Sequence, residues 1–265
     1  MVQNIVLVGC GNMGFAMLSG WKSQDGDRLF HVVEPDDNLR QRAADAGVSV
    51  YASASELSDL DPAFVFLAVK PQVMGQVVPE YAQFSDAVFV SIAAGVTCSS
   101  LESWLGEGRS LVRTMPNTPA AIGEGMIVSY ANDRVSDTAK IEVDQLLQAS
   151  GETGWIDDES LMDAVTAISG SGPAYVFHFV ECLAEAAVKL GLNPELSRKL
   201  ALQTVSGAGL LAKGSETPPA TLREQVTSPG GTTAAALGVF MGRMGPLVDE
   251  ATTAARNRSV ELGKG

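Results

Sequence analysis

The chain is poor in the residue types that carry most acid–base and metal chemistry. Of its 265 residues only two are histidine, His31 and His178, and three are cysteine, Cys10, Cys98 and Cys182. His31 falls in a predicted strand and His178 among Tyr175, Val176, Phe177 and Phe179, so both read as packed or surface side chains and histidine catalysis is a poor candidate. The cysteines are odd in number and far apart, which argues against a disulfide framework or zinc-ligand spacing and points to reduced thiols in a cytoplasmic protein. No stretch approaches the roughly 18 consecutive apolar residues that span a bilayer. A basic segment followed by an apolar run and a cleavage site is also missing, so no secretory leader is expected. Lys and Arg number 18 against 31 Asp and Glu, and no basic stripe offsets the net charge of −13. Nucleic acid and acidic membranes are therefore disfavoured as partners. An anionic small ligand is not, if local amides and a few cations dominate its site.

What the chain does have is glycine, 27 in all, and one informative glycine cluster. The apolar run Ile5-Val6-Leu7-Val8 feeds into Gly9-Cys10-Gly11-Asn12-Met13-Gly14, a helix-compatible segment follows, and a second apolar run stops at Glu34. Strand, glycine turn, helix, strand and acid in this order are the pattern of a dinucleotide-binding βαβ unit. Gly9 permits the tight turn, Gly11 lets backbone approach a pyrophosphate, and Gly14 lets the helix pack closely on the strand. The helix start offers free N–H groups to that pyrophosphate. Glu34 stands where a carboxylate accepts bonds from ribose hydroxyls.

Hydrophobic residues make up 46% of the chain, enough for a sizeable core, and the length fits one large or two modest domains. Strands are expected at 4–8, 29–33, 48–51, 63–69, 87–93, 110–114 and 125–131, with helices near 13–22, 36–46, 72–83, 99–106 and 136–149. Residues 63–69 and 87–93 are continuously apolar, as in central parallel strands covered on both faces. The expectation is an α/β, Rossmann-type doubly wound sheet over residues 1–157. From 158 to 265 the chain becomes helix-forming, with segments at 159–168, 173–190, 194–212, 219–227, 233–243 and 246–262. Pro173 suits a first helical turn and Gly191 a stop. These helices are rich in Ala, Gly and Leu and call for a partner subunit to bury their apolar faces.

Several further segments bear on chemistry. Ala68-Val69-Lys70-Pro71 closes a buried strand on the side where ligands bind a parallel sheet. Lys70 there is either a contact to cofactor phosphate or ribose, or a solvated lysine. Ala93-Ala94-Gly95 leaves room for a flat ring, or else marks a closely packed loop. Met115-Pro116-Asn117-Thr118-Pro119 holds the Asn117 amide rigid, to orient a polar group or simply to stiffen a turn. Ser169-Gly170-Ser171-Gly172-Pro173 and Ser228-Pro229-Gly230-Gly231-Thr232-Thr233 each restart helical sequence after glycines and hydroxyls. Such loops cap helices, and they also present N–H groups to a carboxylate.

Taken together, the glycine turn at 9–14, AVKP at 68–71, SIAAGVT at 91–97, MPNTP at 115–119, SGSGPAY at 169–175 and SPGGTT at 228–233 resemble Δ1-pyrroline-5-carboxylate reductase over nearly the whole chain. The resemblance implies hydride transfer from NADPH or NADH to the C=N carbon of 1-pyrroline-5-carboxylate, the last step of proline biosynthesis. It implies cofactor contacts from Gly9, Cys10, Gly11, Asn12, Met13, Gly14, Glu34, Ser55, Ala68, Val69, Lys70, Ala94 and Asn117. For the substrate it implies Ser228, Gly230, Gly231, Thr232 and Thr233 at the carboxylate, with Glu159 and Glu216 lining the pocket. Thr233 is the expected bond to the ring nitrogen; either it or water supplies the proton. The resemblance further implies a homodimer formed through the helical domain, and in many relatives a ring of dimers.

The chain departs from the family pattern at two places. Glu34, followed by Pro35, Asp36 and Asp37, stands where NADPH-using relatives commonly carry Ser, Thr or a base, which favours the free ribose hydroxyls of NADH; Arg40 and Arg42 are the cations that would compensate. Ser55 replaces a common Asn near the ribose. Two other readings of the sequence compete. A β-hydroxyacid dehydrogenase needs a lysine base after a glycine-rich helix start, and no lysine occurs between Lys140 and Lys189. A regulatory dinucleotide-binding protein would have no use for both glycine–hydroxyl loops.

Overall fold

A computed structural model describes residues 3–23 and 27–263. Eight strands form one sheet in the order β3-β2-β1-β4-β5-β6-β7-β8. They are β1 (Gln3–Val8), β2 (Arg28–Val33), β3 (Ser49–Tyr51), β4 (Pro62–Leu67), β5 (Val88–Ser91), β6 (Ser110–Met115), β7 (Gly125–Ala131) and β8 (Gly151–Trp155). The first six run parallel, β7 is antiparallel to β6, and β8 is parallel to β7. The helices are α1 (Asn12–Lys22), α2 (Asp37–Asp45), α3 (Met74–Val77), α4 (Cys98–Leu105), α5 (Asp137–Gln148), α6 (Met162–Val165), α7 (Gly172–Lys189), α8 (Pro194–Lys213), α9 (Pro219–Gln225) and α10 (Thr232–Leu262). The doubly wound reading holds, with apolar clusters on both faces of the sheet. Trp21 anchors one face: its ring lies 4.8 Å from that of Phe66, and its Nε1 donates to Leu146 O.

The chain divides into two compact units, Met1–Ser171 with Ala255–Gly265, and Gly172–Ala254. The sequence boundary at 157/158 falls just after the last strand, which ends at Trp155; residues 158–171 and the end of α10 belong to the sheet unit. Ser259 Oγ donates to Asp163 Oδ1 at 2.6 Å, and a Cβ on Gly95 would lie 3.2 Å from Gly263 N. In the second unit only Ser197 and Ala201 are buried among the described residues. Gly191, at φ +97°, ends α7 as expected, and Asn193 accepts the Leu196 N–H to cap α8.

The structure departs from the expected elements at four places. Residues 72–83 form short 3₁₀ and α turns, because Pro71 and Pro79 interrupt the ladder. β8 was not expected, since Gly151 and Gly154 weaken its strand signal. Residues 159–168 divide into a 3₁₀ turn, α6 and a π turn, Thr166–Gly170, closed by Ser171 N to Thr166 O. The helices expected at 233–243 and 246–262 are one, with Pro246 inside α10.

Candidate active site

Two glycines of the 9–14 turn, Gly9 and Gly14, have a visible cause. Gly9 has φ +88°, and a Cβ there would meet Ala68 O at 2.8 Å. At Gly14 a Cβ would lie 2.4 Å from Gly9 O, so only glycine lets α1 pack this closely on the turn. At Gly11 a Cβ would meet nothing within 4 Å. That side is open and lines a cleft of about 510 Å³ with Gly9, Glu34, Ala68, Val69 and Lys70. Gly11 caps α1 without any side-chain bond, leaving the first N–H groups of the helix free. Cys10, fully buried, has its thiol pKa pushed up by burial, opposed by the nearby Arg42 charge.

Glu34 is only 7% exposed. Its Oε2 accepts the Cys10 N–H at 2.7 Å and its Oε1 the Asp36 N–H at 3.1 Å. Arg40 donates to the carbonyls of Glu34 and Pro35 and pairs with Asp37. Arg42 donates to Cys10 O at 2.5 Å and Gly11 O at 3.2 Å, and its guanidinium lies 4.1 Å from the centre of the Phe15 ring. Both arginines are thus engaged with protein groups. Ser53 and Ala54 line the cleft; Ser55, exposed next to them, shares a 2.8 Å hydrogen bond with Ser53. Lys70 is exposed at the rim, with no ion pair among the described residues. Tyr81 closes one wall, its phenol pKa raised by burial.

Asn117 uses its amide on main chain. Its Nδ2 donates to Ser169 O and its Oδ1 accepts from Met126 N, which ties the 115–119 loop to β7 and to the π turn. Gly95, at φ +76°, is a closely packed loop position against Leu262 and Gly263, and Ala94 beside it is half-buried. Glu159 looks like a surface acid in the sequence, yet its Oε1 accepts from Arg113 at 2.6 Å and from Cys98 N at 2.7 Å. It is therefore an anion at the start of α4, paired with a buried arginine on β6. Burial, then the Glu159 charge, pushes the Cys98 thiol up to about 12. Arg113 was missed; one charge inside the apolar run Leu111-Val112-Arg113 was the available signal.

In the other unit, Gly230 has φ +72° and Gly231 N donates to Ser228 O, so the 228–231 segment turns tightly into α10. A Cβ on Gly231 would lie 2.6 Å from Ser228 Oγ. Thr232 begins the helix, Thr233 is half-buried, and the first-turn N–H groups lack intrahelical partners. Glu216 is exposed between α8 and α9.

Residues 4–95 match a family model described as NADP oxidoreductase coenzyme F420-dependent, and residues 159–262 one described as pyrroline-5-carboxylate reductase dimerisation. Over 267 residues the chain is 43% identical to a pyrroline-5-carboxylate reductase of Pseudomonas aeruginosa, covering 98% of this chain and 97% of the relative. The chain belongs to the pyrroline-5-carboxylate reductase family. A pyrroline-5-carboxylate reductase of Haemophilus influenzae is 38% identical, covering 97% of each chain. Among solved structures, a pyrroline-5-carboxylate reductase from Coxiella burnetii matches with TM-score 0.93 at 34% identity over 100% of both chains. A Plasmodium falciparum pyrroline carboxylate reductase with NADP bound matches with TM-score 0.82 at 31% identity over 98% of each. The six sequence segments that resemble the reductases thus lie in a chain related to them from end to end.

Proposed function

We propose that this chain reduces 1-pyrroline-5-carboxylate to L-proline with a reduced nicotinamide dinucleotide. The observation that carries this reading is kinship over 98% of the chain with a reductase of that name. The first unit fits a dinucleotide on its own geometry: Gly9 and Gly14 admit no side chain, Gly11 opens on the cleft, and the α1 start is uncapped. The bound cofactor supplies the hydride that adds to the C=N carbon.

The protein has little else to provide, because a protonated imine is already electrophilic. The amides of Gly230 and Gly231 and the threonines 232 and 233, at the start of α10, hold the substrate carboxylate. The Thr233 hydroxyl bonds the ring nitrogen as C=N becomes amine. Glu159 and Glu216 favour the cationic imine. Asn117 contributes by fixing the 115–119 loop. Lys70, exposed at the cleft rim, neutralises cofactor phosphate.

NADH is used at least as well as NADPH in this reading. A buried carboxylate at Glu34 suits free ribose hydroxyls and repels a 2′-phosphate, and the two arginines beside it are already engaged. The working form is a homodimer, supported by the dimerisation family match and by the exposed Phe177, Leu190, Leu210 and Leu211 of the second unit. Three free cysteines suit a cytoplasmic setting.

The test is absorbance loss at the nicotinamide band with 1-pyrroline-5-carboxylate, NADH and NADPH in parallel. Thr233→Ala is expected to lower kcat/KM for the imine by about 10- to 100-fold, the scale of one lost hydrogen bond in a site. Absence of turnover with either cofactor would reject the reductase reading, and a strong NADPH preference would reject the Glu34 argument.

A further inference from the structure

The bonds around the glycine turn form a pattern that the dinucleotide reading leaves unused. The turn is gripped by two oppositely charged side chains from other elements. Glu34, just after β2, accepts the Cys10 N–H at 2.7 Å. Arg42, on α2, donates to Cys10 O at 2.5 Å and to Gly11 O at 3.2 Å. In a trans peptide the N–H points opposite to the C=O of the same unit. A cation that draws the Cys10 and Gly11 carbonyls to itself therefore turns the N–H groups of Gly11 and Asn12 the other way. Gly11 lines the cleft that holds Glu34 and Lys70, whereas Arg42 lines a second recess with Asn12, Phe15 and Thr118.

Arg42 is itself held in place. Its guanidinium stacks over the Phe15 ring at 4.1 Å. Phe15 lies on α1, one residue beyond Gly14, and its N–H donates to Gly11 O at 2.9 Å. The arginine thus joins α2 to the start of α1 through the turn. Both bonds come from one nitrogen, Nη2, while the flat guanidinium rests on the Phe15 ring, a stacking that the compact ammonium of lysine does not reproduce.

We infer that Arg42 is a positioning residue for dinucleotide binding, orienting the free amides of the glycine turn from behind. It acts on the diphosphate shared by NADH, NADPH and ADP-ribose, and it does not hold a 2′-phosphate. The inference rests on the dinucleotide reading of the first unit and is independent of which imine is reduced.

The test is calorimetric binding of NADH, NADPH and ADP-ribose to the full chain without substrate, for wild type, Arg42→Gln, Arg42→Lys and Phe15→Leu. Arg42→Gln is expected to weaken all three ligands by the same factor, about tenfold, the scale of a lost charged hydrogen bond. Arg42→Lys keeps the charge and is expected to recover only a small part of that loss. Phe15→Leu, which keeps the arginine and loses the ring, gives a smaller loss of the same kind and covers the case in which Arg42→Gln does not fold. Amide hydrogen exchange at Gly11 and Asn12 is expected to quicken in each variant. Weakening confined to NADPH would overturn the inference by making Arg42 a 2′-phosphate ligand. Full recovery by lysine would overturn it by showing that charge alone suffices. A wild type that binds none of the three would overturn the dinucleotide reading itself.

Discussion

Cys98 sits at the first position of α4 with its N–H on Glu159, and its thiol pKa is raised to about 12 by burial and by that carboxylate. An ordinary thiol, at 9.0, loses its proton earlier in the unfolded chain. Above 9.0 the folded state therefore binds more protons than the unfolded state, so stability falls as pH rises. Below that value the contribution is fully present. Urea unfolding at pH 8, 9 and 10 should show this decline, and it should be shallower in Cys98→Ala; equal slopes would remove Cys98 from the account. At this scale the sequence was informative where a residue acts through its own backbone. Gly9 and Gly14 could be read because only glycine satisfies a positive φ or a backbone contact inside van der Waals distance. Arg42, Arg113 and Glu159 could not, because their meaning depends on partners up to 61 residues away in the chain. Asn117 was read as rigid, and its rigidity has a cause no local pattern carries: bonds to Ser169 and Met126.

Elements with a strong hydrophobic period were legible, and those built on weak signals were not. β4 is apolar throughout, as are residues 5–8 of β1 and 88–90 of β5, and these residues bury both faces, so their place in the middle of a parallel sheet follows from composition. β8 has two glycines in five residues and lies at the sheet edge, where packing supplies what propensity does not. The expected break before Pro246 failed because α10 carries on through it. Proline in a helix interior removes one hydrogen bond and crowds the carbonyl four residues back. Pro246→Ala is therefore expected to stabilise the protein, by up to about 3 kcal/mol. Equilibrium unfolding in urea checks this, and a variant less stable than wild type would mean that the proline ring is needed by the packing around it.

For the whole molecule, the two units differ in how they bury apolar surface. The sheet unit has fully buried side chains on both faces, while α7, α8 and α10 leave Phe177, Leu210, Met241 and Leu247 exposed. A surface of that kind calls for a second copy, and sedimentation is expected to give a dimer. Paired Phe177→Asp and Leu210→Asp substitutions should weaken self-association and lower the melting temperature; a monomeric wild type would remove the basis for this. The division of the chain at 171/172 and again at 254/255 has its own consequence for synthesis. A ribosome delivers the sheet unit in two instalments, separated by the entire helical insert. The nascent sheet must wait for the last helical turns before Asp163 meets Ser259 and the loop at Gly95 gains its cover, so the unit begun first is completed last.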